Sequence, residues 1–281
     1  MKKNILYLTG QLDCLSYYKM IFQKLKNFLG DREIATKIFI GKNIGFIVKR
    51  GSKDPALLIF DLKISNKLLK LRKAEGLKDV RGKLKEKEIL IWHYFVPRKM
   101  IEMHYACNRE GVGKEIDRIF IDIDKGQKID YGTYLKIVQE LIRIIKSDNE
   151  LKKLAKFKLF ILWTGKSFHV YLLLSKKFPH YFYERYFSFE ENTFISKWAR
   201  TITKKTRIKV EAHHERIKDE VILDTSATPS GKLARCLYSL HISKEGKLVG
   251  VAVPIKERDL FKKNIIKELL SLTPEKVIMS L

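Results

Sequence analysis

The sequence predicts an α+β fold centred on one acid-bearing strand, and three observations carry that prediction. Arg118-Ile119-Phe120-Ile121-Asp122-Ile123-Asp124 alternates strictly, the signature of a half-buried strand. From there onward the elements read strand, helix, strand, strand, helix, strand, the order of a ferredoxin-like split βαβ unit. The composition, 45% hydrophobic and 32% charged over 281 residues, is that of a globular protein with a substantial core. No apolar run reaches the ~20 residues that span a bilayer, so a membrane partner is not expected.

The elements follow in order. Met1 to Leu8 is basic then apolar, but Gly10, Gln11 and Asp13 break the run before it reaches signal-peptide length. Tyr17 to Phe28 has helical spacing, with Tyr18, Ile21, Phe22, Leu25 and Phe28 near one face. Two strand-like runs between Ile34 and Val48 flank Gly41-Lys42-Asn43 as a hairpin. Ala56 to Asp61 and Glu88 to His93 read as further strands, and the lysine-dense stretch from Lys67 to Lys87 as a solvated face. Residues 97–117, with Arg98, Lys99, Arg109 and Lys114, read as a connection. Beyond the acid strand, Tyr131 to Lys146 is an amphipathic helix, its apolar stripe made by Leu135, Val138, Leu141, Ile142 and Ile145. Lys158–Trp163 and Phe168–Leu174 are two strands joined by the tight turn Thr164-Gly165-Lys166-Ser167. A helix over Tyr183–Lys204, strands over Glu220–Asp224 and Leu248–Ile255, and a closing helix over Leu260–Leu272 complete the series. The tail to Leu281 stays apolar past Pro274 without an obvious cap. There is no internal repeat and no low-complexity linker.

The chemistry begins with the period of the acid strand. Phe120, Asp122 and Asp124 share one face, and two carboxylates side by side repel. A divalent cation with oxygen ligands would compensate, whereas the plainer alternative is a strand end facing water. Lys+Arg 57 against Asp+Glu 32 gives a net charge of +25, which favours a polyanionic partner, most commonly nucleic acid. A lysine-rich proteome is the plainer alternative there. Cys14, Cys107 and Cys236 are scattered and odd in number, so neither a disulfide framework nor a zinc site is indicated. That places the protein in a reducing compartment, the cytoplasm.

Two more clusters join Asp122 and Asp124. Thr164-Gly165-Lys166-Ser167-Phe168-His169 is a turn ending in a histidine; Asp224 closes the apolar run Val221-Ile222-Leu223 and leads on to Arg235 and Tyr238-Ser239-Leu240-His241. Three acids with lysine, arginine and histidine make a kit for phosphoryl transfer, the acids for metal ions and the bases for a triphosphate. Each has a plain reading alone: His169 as a hydrogen-bonded core residue, Asp224 as a turn former, Arg235 as a surface ion-pair partner.

In this order the clusters resemble the archaeo-eukaryotic primase superfamily, which includes primase small catalytic subunits and the polymerase domains of bacterial end-joining ligases. Asp122/Asp124, Ser167/His169 and Asp224 match its D-x-D, small-x-His and strand-Asp motifs, and Arg235 to His241 matches its R-x-P-x-S-L-H element. The resemblance covers roughly residues 90–255. Leu237 stands where the family has proline, Ser243 and then Lys244 where it often has a basic residue, and Thr164 and Ser167 where it has Ser and Gly. The zinc-binding stem of many members is absent from the sequence.

The resemblance implies an RRM-like catalytic sheet (approximately 96–281) packed against an N-terminal α/β module (approximately 1–95), with the active site in the cleft. It implies a DNA primase catalytic subunit, synthesising or extending primers on single-stranded DNA from NTPs or dNTPs. Asp122, Asp124 and Asp224 would hold two Mg²⁺ or Mn²⁺ ions, and Lys166, Ser167, His169, Arg235, Ser239 and His241 would contact the nucleotide. No zinc and no iron–sulfur cluster is expected. A primase large subunit or a C-terminal helper domain would assist initiation, since the cations account for one triphosphate only. The alternatives are an end-joining or gap-filling polymerase and, in another class, an inactive RRM-like nucleic-acid binder. An RRM proper would carry stacking aromatics on its central strands, and no such run is evident.

Overall fold

The computed structural model describes residues 12–41, 45–51, 56–73, 76–96, 99–215 and 217–281. The Met1–Leu8 stretch, the Lys42-Asn43 turn and Arg98 lie outside the described residues. The protein is mixed α+β, and its chain divides into two compact units. One holds Met1–Ala106, Arg235–Ala252 and Leu272–Leu281; the other holds Cys107–Ala234 and Val253–Ser271. Among the described residues no helix is long and apolar enough to cross a membrane.

The first unit starts with helix α1 (Cys14–Leu29), capped by Asp13, whose carboxylate accepts the Ser16 N–H at 3.2 Å. Tyr18, Ile21, Phe22 and Leu25 are buried on one face, as the spacing predicts. Strands β1 (Ile34–Gly41) and β2 (Gly45–Lys49) pair antiparallel. The strand expected at Ala56–Asp61 is absent: one bridge, Glu33 to Leu58, is followed by a 3-10 turn over Ile59–Asp61. A short apolar run does not by its periodicity distinguish a strand from a buried turn. Short helices α2 (Asn66–Lys70) and α3 (Leu77–Val80) carry the lysine-rich stretch, and Lys67, Lys70, Lys78 and Lys83 are exposed.

The strand expected at Glu88–His93 is instead helix α4 (Glu86–Phe95). Glu88 accepts the Lys85 N–H at 3.1 Å, which satisfies a first-turn donor, and two glutamates in that turn suit the helix dipole. The reading of 97–117 as a connection also fails, because β3 (Met100–Ala106) runs antiparallel to β1 within it. Its Ile101, Met103 and Tyr105 alternate with Glu102 and His104, the period of a strand, and Glu102 is buried.

The second unit is built on β4 (Ile116–Lys125), the acid strand. Helix α5 (Tyr131–Ser147) follows, then α6 (Asn149–Leu154), β5 (Phe157–Trp163) and β6 (Phe168–Phe178). The single helix expected over Tyr183–Lys204 is two, α7 (Tyr181–Phe187) and α8 (Phe194–Thr206). Between them the Thr193 hydroxyl donates to the Ser188 and Glu190 carbonyls, closing a turn that a continuous helix would not tolerate. Strands β7 (Val210–Glu211) and β8 (Val221–Asp224) pair in parallel.

The chain passes to the first unit at β9 (Leu233–Arg235) and there forms the antiparallel pair β10 (Leu240–Ile242) and β11 (Leu248–Val251). The expected Leu248–Ile255 strand therefore breaks at Ala252, and its second half, β12 (Val253–Ile255), pairs with β5. The closing helix is a 3-10 turn over Glu257–Phe261 and α9 (Ile265–Leu270). A last helix, α10 (Pro274–Ser280), does have a cap: the Thr273 hydroxyl accepts the Lys276 N–H at 3.3 Å, and Val277 and Ile278 are buried.

The second unit's sheet has the order β12-β5-β6-β4-β8-β7, so β4 is central although it comes first in the chain. Its Ile119, Ile121 and Ile123 face is fully buried. Helix α5 covers that side, with Tyr134 against Phe168 and Tyr131 against Trp163.

Candidate active site

The register of three strands assembles the acids. Asp122 lies opposite Asp224 on β8 and opposite His169 on β6, so the three side chains stand in a row across one sheet face. Asp124 is two residues further along the same face. The His169 Nε2 is 3.4 Å from the Asp122 Oδ1. Asp124 is 8% exposed and the Asp122 side chain 20%, which sets aside the alternative of two acids standing in open water. The Asp224 carboxylate accepts the Ser226 N–H at 2.7 Å.

Behind the row, Phe120 meets His169 and Tyr171 edge-on at 4.8 and 5.2 Å between centroids. These aromatics are buried rather than presented for base stacking, since Phe120 is 4% exposed and Tyr171 1%. The edge of β4 beyond β8 is satisfied by side chains. Asn108 accepts the Asp117 and Arg118 N–H groups, and the Thr228 hydroxyl accepts the Phe120 N–H. Both are fully buried.

The turn before His169 is tight. Gly165 has φ 102°, a conformation glycine alone adopts readily, and the Thr164 N–H donates to the Ser167 carbonyl at 2.8 Å. The Ser167 and Thr164 hydroxyls bond to each other at 2.8 Å, and Ser167 is 7% exposed. Lys166, at the tip, is exposed, and its carbonyl accepts the Tyr131 hydroxyl.

The remaining predicted residues lie in the first unit. Arg235 Nη1 is 3.2 Å from the Glu102 carboxylate and donates to the Leu240 carbonyl at 2.9 Å. Ser239 is fully buried; its hydroxyl accepts the Met103 N–H and donates to the Leu240 carbonyl. His241 sits on β10 opposite Gly250.

Among the described residues, the donor atoms that all lie within 4.8 Å of one another are those of Glu211, His213 and Glu220, not those of the three aspartates. Lys209 already supplies a cation there, 2.8 Å from Glu211 and 2.5 Å from Glu220. The aspartates differ: like charges on neighbouring strands turn to separate partners, His169 for Asp122 and the Ser226 amide for Asp224.

No family model matches the chain, and no curated protein sequence matches it. A solved structure does. The chain shares its fold with a polymerase domain. The domain is from Mycobacterium tuberculosis ligase D, solved in complex with DNA, and is 13% identical with a TM-score of 0.60. The match covers 99% of this chain and 91% of that polymerase domain.

Three residues outside the motifs hold strands or predicted residues in place, each within its own unit: Asn108 and Thr228 on the β4 edge, and Glu102 beside Arg235. Nothing in the sequence singled them out, since Asn108 and Thr228 bond chiefly to backbone groups and the partners of Glu102, Arg235 and the Ile242 N–H, are remote in the chain. Glu102, 1% exposed, holds Arg235 and also accepts the Ile242 N–H at 2.7 Å. Burial pushes its carboxyl up, but Arg235 and the other donors outweigh this and hold it below the ordinary value. Burial, with Arg235 adding, pushes His104 down to about 3. An unfolded histidine binds a proton near ~6.5, so protonation favours the unfolded chain and stability falls as pH drops from ~6.5 towards ~3. The slope from this one proton is at most about 1.4 kcal/mol per pH unit. Glu102 adds to the loss as pH falls through its own depressed value. Urea unfolding between neutral pH and pH ~4 measures this, and a His104→Phe variant should show a shallower decline. An equal decline in the variant would remove His104 from the account.

Proposed function

We propose that this protein is a template-directed nucleotidyltransferase of the primase-polymerase type, adding nucleotides to a strand paired with a DNA template. The observation that carries the reading is the row His169–Asp122–Asp224, with Asp124 beside it, on one face of a central strand. The donor set is all carboxylate oxygen on one side, which suits hard cations, and the repulsion it creates is what a cation relieves. Asp122, Asp124 and Asp224 would hold Mg²⁺ or Mn²⁺, two ions in the resemblance, which would activate a 3′-hydroxyl and offset charge on the departing pyrophosphate. The likeness to a polymerase domain solved with DNA supports the same class of chemistry.

The chain's own groups then have distinct tasks. Asp122 is held beside His169, whose Nε2 lies 3.4 Å from its Oδ1. His169, and Lys166 at the exposed turn tip, would donate to phosphate oxygens. From the resemblance, Arg235 and His241 are further phosphate ligands; the buried Ser239 hydroxyl instead belongs to the fold of its own unit. The strand order β5-β6-β4-β8, with helices between β4 and β5 and between β6 and β8, supports the RRM-like reading of the sheet.

The finer reading is a DNA primase catalytic subunit in replication, with end extension or gap filling as its rival. Incubating the full chain with primed and unprimed single-stranded DNA, labelled NTPs or dNTPs and Mn²⁺ separates them. Template-matched extension of the primer is expected, with poor synthesis of a first dinucleotide unless a large subunit or helper domain is supplied. Efficient unprimed synthesis favours the primase. DNA binding with no incorporation on either substrate would leave the inactive binder.

A further inference from the structure

We propose that the Tyr134 hydroxyl is a positioning group for the metal-binding acids, clamping the end of the acid strand to the strand that bears His169. The inference rests on the reading of Asp122, Asp124 and Asp224 as metal ligands. Tyr134 is fully buried in the first turns of α5. Its hydroxyl accepts the Phe168 N–H at 2.7 Å and donates to the Ile123 carbonyl at 2.6 Å. Ile123 and Phe168 are opposite one another at the end of the β4–β6 ladder. Ile123 is the residue between the two aspartates, and Phe168 immediately precedes His169. One hydroxyl therefore ties together the two residues adjacent in the chain to Asp122, Asp124 and His169.

Packing does not explain that hydroxyl. The ring lies 5.8 Å from Phe168 and 6.3 Å from Tyr131, centroid to centroid, and a phenylalanine would make the same contacts. What the oxygen adds is a two-way bond at a place where a strand pair otherwise frays. Burial, with the charges of Asp122 and Asp124 adding to it, keeps the phenol protonated well above its ordinary range, so the donor role persists at any working pH. Carboxylates that must converge on one cation need their backbones held within a fraction of an ångström, and such outer groups commonly alter metal affinity ten- to a hundredfold.

The test is Mn²⁺ binding to the full-length chain without substrate, followed by the electron paramagnetic resonance signal of free Mn²⁺. Tyr134→Phe should weaken Mn²⁺ binding by about tenfold or more while circular dichroism stays native. A purely structural role would lower the melting temperature and leave the Mn²⁺ Kd unchanged, and that result overturns the proposal. Asp122→Asn is the companion variant. If it binds Mn²⁺ as well as the parent chain, the metal reading itself is wrong, an outcome distinct from failure of the tyrosine inference alone. Should Tyr134→Phe not fold, 3,5-difluorotyrosine at position 134 keeps the ring and the hydroxyl but alters its donor strength. A shifted Kd then supports the clamp, and an unshifted one removes it.

Discussion

Asp122→Asn and Asp224→Asn will each reduce nucleotide incorporation by on the order of a thousandfold, about 4 kcal/mol of transition-state stabilisation. The two carboxylates face each other on adjacent strands, so neither can substitute for the other in holding a cation between them. The same variants should be slightly more stable than the parent in metal-free buffer. Like charges directly opposite on a sheet cost roughly 0.2–1 kcal/mol, and an amide removes one of them. Addition of Mn²⁺ should raise the parent's unfolding free energy, by ~2.7 kcal/mol at a hundredfold excess over Kd, and leave the variants unmoved. Primer extension and metal-dependent melting report the two effects separately. Normal extension by either variant would sink the two-metal reading, whatever the melting curves show.

The second large effect is on nucleic-acid affinity. A net charge of +25 is distributed over exposed lysines, among them Lys67, Lys70, Lys78 and Lys83 in the first unit and Lys152, Lys156 and Lys158 in the second. Neutralising phosphates with such side chains releases counterions, so the logarithm of the affinity should fall linearly with the logarithm of salt concentration. For ~6–10 contacts the loss between ~50 and ~200 mM salt is about 10³–10⁵-fold. Fluorescence anisotropy with a labelled single strand gives the slope. A shallow slope would mean that the charge serves solubility rather than a polyanionic partner.

What could be read from the residues was whatever is local and periodic. The alternation of β4, the 3.6-residue stripe of α5 and the turn before His169 each follow from side chains within a few positions of one another. The misreadings have the same root. Glu88–His93 reads as a strand because its apolar run is short, while the signals that decide for helix, Glu86 and Glu88 in the first turn, lie at its edge. Strand β3 carries the same alternation, Ile101, Met103 and Tyr105 against Glu102 and His104, but the basic and glycine-rich residues around it, Lys99, Arg109, Gly111 and Gly113, give the whole stretch the look of a connection. The candidate acids were visible because Asp is out of place in a strand. Asn108, Thr228 and Tyr134 were invisible because their work is done on backbone atoms, which carry no sequence signature.

The pairing of Asp122 with Asp224 joins residues on opposite sides of most of the second unit's chain. A chain synthesised only as far as β7 lacks Asp224, because β8 follows β4 to β7 in the sequence. The acid row is therefore incomplete until the chain has passed β8, and a copy truncated before it keeps Asp122 and Asp124 without the third acid. One-residue slippage of β8 would turn Asp224 to the helix-covered side, and Val221 and Leu223, both buried there, hold it against such a slip. Assembly of the acid row is in this way made conditional on a correctly finished sheet.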